Sequence, residues 1–179
     1  MPDSRALIAP LCALLEQGAE LAPRLPSEVF ALASPLAPGG GVGAHLRHVA
    51  DFVRAFLRDL ETGRIDYDRR ERDERAERDP ERARAELLRL VQGLRALGPL
   101  ERGRALEVRS EACLCGPDWQ RSSVARELGT LLSHTVHHYA LIAVLLRARG
   151  LEPEAGFGVA PSTLAHWQEE RAACAPRAG

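Results

Sequence analysis

The chain has 179 residues, 24 of them cationic and 25 acidic, for a formal net charge of −1. A chain of this length suits one domain that buries roughly two-thirds of its unfolded surface, so no cofactor is needed merely to make a core. The near-neutral total argues against a nucleic-acid binder, whose footprint is basic.

Residues 4–22 carry Leu7, Leu11, Leu14, Leu15 and Leu21 at helical spacing, with Asp3 or Ser4 available as an N-cap. Pro10 inside that run implies a kink or a late start. From Pro23 to Gly43 proline and glycine dominate; a short helix through SEVFALA is allowed, and PLAPGGGVG reads as loop.

Residues 44–62 form the second long helix, with Leu46, Val49, Phe52, Val53, Phe56 and Leu60 on one side and Arg47, Arg54 and Arg58 on the other. His45 projects between Phe52 and Phe56, inside the apolar arc, while His48 lies at its edge with Asp51 beyond. Residues 63–79 alternate in charge and read as a solvated connection. The alternative is that Asp66, Tyr67, Arg69 and Arg72 fold back over a pocket mouth.

Pro80 opens a third helix whose stripe is Leu87, Leu90, Val91, Leu94 and Leu97, stopped at Gly98-Pro99. The next 20 or so residues can form a small two-stranded hairpin through Leu106, Val108 and the Cys113 to Cys115 region, in a connection long enough to span the end of a bundle. Ser122 or Ser123 then caps the last long helix, which ends at Gly150. Glu127 sits in its first turn, where the helix dipole favours an anion. In the tail, Phe157, Val159 and Leu164 make a strap across the bundle, followed by a short helix from Pro161 to about Ala173. The fold expected is all-α: a four-helix bundle with long crossover connections, one domain over 1–179 with its core at about 4–165 and the strap at 151–179.

Four cysteines, Cys12, Cys113, Cys115 and Cys174, lack the spacing of a zinc knuckle or a thioredoxin-type motif. No basic region precedes the first apolar run, as a secretory leader would require. No stretch reaches the roughly 20 uninterrupted apolar residues of a membrane span. The expectation is a cytoplasmic protein with free thiols, bound to neither membrane nor nucleic acid.

The chemistry concentrates in SHTVHH. An α-helix turns about 100° per residue, so His134 and His138 differ by about 40° and stack on one face, on a line with Glu127, Leu131, Leu141 and Leu145. That line is expected to face the interior. Two imidazoles so placed are what a borderline divalent ion takes from one helix, and either His45 or His48 can supply a third from the facing helix. Three histidines would leave an open position for water or substrate. Lone histidines are more often satisfied core or surface residues, but five of the six fall on two apolar helices.

GAHLRHVADF, IDYDRRERD, SSVARELGTLLSHTVHHYALI and FGVAPST together resemble the DinB-like (damage-inducible, bacillithiol-transferase-related) four-helix bundles, over roughly residues 5–165. The resemblance implies a metal site, which carried over by position is His48, His134 and His138, with His45 as substitute. It implies a divalent ion, zinc or nickel before iron, a small-molecule substrate, a low-molecular-weight thiol co-substrate and a homodimer. A metal-dependent thiol transferase or hydrolase is the leading expectation, with Tyr67, Arg72 and Tyr139 as candidate pocket groups and Asp51 as a carboxylate that could orient a ligand imidazole. The alternative is a non-catalytic homodimeric bundle or stress-response binding module whose metal is structural or absent.

Overall fold

The computed structural model describes residues 5–33, 40–69, 73–110 and 119–174, with the side chains of 172–174 left aside. The described chain is mostly helical. In order it contains α1 (Arg5–Leu21), α2 (Ser27–Ala31), α3 (Val42–Asp59), β1 (Arg64–Asp66), α4 (Pro80–Ala96), β2 (Ala105–Arg109), β3 (Gln120–Ser123), α5 (Val124–Arg147) and α6 (Pro161–Cys174), with 3-10 turns at Ala22–Arg24 and Glu74–Glu77.

Local chemistry explains most of the boundaries. Asp79 accepts hydrogen bonds from the backbone N–H groups of Glu81 (3.0 Å) and Arg82 (3.1 Å), and Pro80 follows at the first helical position, where a missing N–H costs nothing. Ser123 caps α5 by accepting from the N–H of Arg126 at 3.3 Å. Its neighbour Ser122 donates instead to the Glu127 carboxylate. α1 runs through Pro10.

α1 and α3 each pack against both α4 and α5, and the buried core is built from Leu, Val, Ile and Phe side chains of all four. Close backbone approach matters at Gly43, where an added Cβ would stand 2.2 Å from the Glu77 carbonyl oxygen. The strap after α5 repeats the device. Phe157 is buried and stacks on Tyr139 with ring centroids 4.8 Å apart, and a Cβ on Gly158, whose φ is +72°, would meet the α5 backbone at 2.7 Å. By length and hydropathy α5 also meets the test for a bilayer-crossing helix; here it packs against α1 and α3.

Three features differ from the sequence reading. The segment after α3 is not a solvated connection: Arg64, Ile65 and Asp66 pair in parallel with Glu107, Val108 and Arg109, so the small sheet has three strands in the order β1-β2-β3. Ile65 is fully buried beneath it, which two apolar residues in a charged run were too few to signal. The antiparallel partner of β2 is Gln120–Ser123; Cys113 and Cys115 lie outside the described residues. Finally, Arg47 and Arg54 are not on a solvated face. Asp51, 2% exposed, lies between them, Arg47 reaches on to Glu77 (2.7 Å) and Arg54 to Glu86 (2.6 Å), and the ion-pair chain ties α3 to the 3-10 turn and to α4.

Candidate metal centre

His45 and His48 stand on the first half of α3, and His134 and His138 on the middle of α5, the helix it packs against. The Nε2 atom of His134 is 3.2 Å from that of His48 and 3.1 Å from that of His138. One nitrogen from each of the three rings lies within 4.8 Å of both others. Nitrogens bound to one tetrahedral ion at about 2.0–2.1 Å stand roughly 3.3 Å apart, so the two short separations are those of ligands sharing an ion.

The phase of α5 differs from expectation. Its buried line runs through Leu128, Leu131, Thr135, Tyr139, Ile142 and Leu146, and His134 and His138 lie half-buried at the edge of that line. Thr135 is tolerated inside because its hydroxyl donates to the Leu131 carbonyl at 2.7 Å. At an edge, imidazoles keep contact with solvent, which an exchangeable ligand requires.

Electrostatics prepares His138 to give a lone pair. Burial, reinforced by the neighbouring His134, His45 and His137 rings, pushes the His138 pKa down to about 3. Burial, then His137, also lowers His45. Neutral imidazole is the metal-binding form.

The other sequence candidates take different places. His45, as periodicity indicated, is the deeper of the α3 pair, 5% exposed against the half-buried His48. Its Nδ1 faces the Nδ1 of His138 at 2.9 Å, behind the three-nitrogen cluster. His137 is exposed, edge-on to His138. Tyr67 is buried and donates its hydroxyl to Glu127 at 2.8 Å; burial, then the Glu127 charge and that hydrogen bond, push its pKa far up, which removes it from proton transfer near neutral pH. Tyr139 turns the other way, fully buried against Gly18 of α1, and burial raises its pKa as well. Arg72 lies outside the described residues. Asp51 is not directed at a ligand imidazole, because Arg47 and Arg54 hold both of its oxygens.

Periodicity gives Phe52 only as a core residue. Its ring lies 4.3 Å from His134 and 5.0 Å from His48, and stacks on Tyr67 at 5.2 Å, so it walls one side of the cluster. The signal was its position four residues after His48 on the same helix.

No family model matches the chain, and no solved structure matches it. Over 108 residues, 59% of the chain, it is similar to FK506-binding protein 5 of Rhizopus delemar at 30% identity. The aligned stretch spans 28% of the length of that relative.

Proposed function

We propose that the protein is a metal-binding four-helix bundle of the DinB-like kind. In this reading His48, His134 and His138 hold a divalent ion, and a small thiol or a water is activated there for attack on an electrophile. The observation that carries the reading is the double engagement of His134 Nε2. An imidazole nitrogen has, in the ring plane, either one proton or one lone pair. It cannot pair well with two other imidazole nitrogens at 3.1 and 3.2 Å. A cation taking one lone pair from each of the three rings removes that conflict. The packing of α1 and α3 each on both α4 and α5 supports the bundle.

Three imidazoles suit borderline ions, zinc or nickel before iron. Such an ion, when bound, supplies Lewis-acid polarisation and lowers the pKa of a water or thiol at its remaining position. The chain's own residues set the charge balance. The three ligands are imidazoles, Asp51 is held by two arginines, and Glu127 is held by Tyr67 and Ser122. Among the described residues no carboxylate belongs to the cluster, so an anionic partner such as a thiolate is favoured at the open position. Phe52 limits water on one flank and restrains the His48 and His134 rings.

Elemental analysis of the purified protein and of His134→Ala tests the metal. About one ion per chain, lost in the variant, is the expected result; an ion retained by His134→Ala removes the basis of the reading. A screen of low-molecular-weight thiols against electrophiles, run on the metal-loaded chain, tests the reaction.

A further inference from the structure

We propose that His45 is a positioning residue that accepts the Nδ1 proton of His138, and so aims its Nε2 lone pair at the other two histidines. This rests on the three-histidine reading and extends it to a residue that sets the site's readiness for metal.

His138 is engaged at both ring nitrogens. Its Nε2 stands 3.1 Å from His134 Nε2, while its Nδ1 stands 2.9 Å from His45 Nδ1. Two neutral imidazole nitrogens at that distance share one hydrogen, so only two arrangements exist. If His45 Nδ1 carries it, His138 must keep its own proton on Nε2, where it points into the cluster and blocks coordination. If His138 Nδ1 carries it, His138 Nε2 is a free lone pair, and His45 accepts.

Only the second arrangement is compatible with an ion. It requires His45 to hold its proton on Nε2, and that atom is buried with no hydrogen-bond partner among the described residues. Either arrangement leaves that atom unpaired, as an orphaned N–H in this one and an orphaned lone pair in the other, so the outer side of His45 does not choose between them and the ion at His138 Nε2 does; the two rings stand 5.2 Å apart between centroids at a tilt of 42°. Metal ligands usually give their second N–H to a carboxylate, carbonyl or water. Here the acceptor is a neutral imidazole, supplied three residues before a ligand on the same helix, which orients His138 without adding negative charge.

The test uses the full chain. Zinc affinity is measured by chelator competition for the wild type, His45→Leu, His45→Asn and His134→Ala, and the zinc-loaded wild type is labelled with 15N-histidine for tautomer assignment. Asparagine keeps an acceptor oxygen near the place of Nδ1; leucine does not. The expected results are a proton on His138 Nδ1 with the metal at Nε2, a loss in zinc affinity of about 10–100-fold in His45→Leu, and recovery to within about threefold of wild type in His45→Asn. A His138 bound to zinc through Nδ1, or wild-type affinity in His45→Leu, overturns the proposal, as does an equal loss in both His45 variants. The spectrum of the wild type decides the tautomer even where a variant fails to fold. Loss of zinc in His134→Ala beside an unaffected His45→Leu sinks this inference alone, whereas zinc retained in His134→Ala sinks the three-histidine reading beneath it.

Discussion

His48 and His134 meet through their Nε2 atoms at 3.2 Å, with the Phe52 ring against both imidazoles. One hydrogen can join two such nitrogens, but His134 Nε2 also stands 3.1 Å from His138 Nε2 and cannot pair well with both. The arrangement is stable when something positive stands between them. His48→Ala and His134→Ala are each expected to weaken zinc binding by at least about 100-fold, beyond the 10–100-fold that a supporting residue commands. Chelator competition reads the difference, and a loss below tenfold in either variant contradicts shared coordination.

Asp51 separates stability from metal binding. Its side chain is 1% exposed, and the guanidiniums that hold it are 14% and 20% exposed, so the pairs lie well out of water. Removing the carboxylate leaves two cations facing each other across the gap. Asp51→Asn is expected to lower unfolding free energy by about 3 kcal/mol, measured by denaturant titration of the metal-free protein. Zinc affinity of the folded variant is expected to stay within about twofold of wild type. A larger fall would return Asp51 to the ligand-orienting role that its position after His48 first suggested.

Gly18 and Tyr139 form a tight pair between α1 and α5. A Cβ on Gly18 would stand 2.1 Å from the Tyr139 hydroxyl oxygen, so Gly18→Ala is expected to cost about 1–3 kcal/mol by overpacking. Deleting that oxygen relieves the worst contact. Gly18→Ala with Tyr139→Phe should recover part of the loss, and thermal melts of the two singles and the double give the coupling. Additive effects would mean that the strain lies elsewhere.

Acid should unfold the metal-free protein through the histidine cluster. Burial holds the folded His138 pKa near 3, below the ordinary histidine value of about 6.5, and His45 shifts in the same direction. In that window the unfolded chain binds more protons than the folded one. The stabilisation from keeping these rings neutral is therefore complete above about pH 6.5 and is lost as pH falls toward 3, with a slope of up to about 1.4 kcal/mol per pH unit for a single site. Denaturant midpoints from pH 8 to 4 measure it, and His138→Phe should flatten the curve; an unchanged slope in that variant would assign the acid sensitivity to other groups.

The parts of this protein that were legible in its residues are those whose causes lie within one or two turns of chain. Pro80 opens α4 because its missing N–H costs nothing in a first turn, and Ser123 starts α5 because its side-chain oxygen reaches the N–H three residues on. His134 and His138 stack because they are four residues apart on one helix. The charged run after α3 hid its strand, since the register Ile65↔Val108 is set by a partner some forty residues away.

Helical period left both α3 histidines open and the resemblance implied His48; the tertiary structure sets His48 beside His134 and His45 behind, against His138. It also turned α5 so that the pair rides the edge of the core and not its centre, and it drew Arg47 and Arg54 out of solvent onto Asp51. The physical reason is that helical period specifies only relative angle. The absolute rotation and rise of one helix against another come from the summed packing of side chains on both, and a single residue of slip turns a face by about 100°.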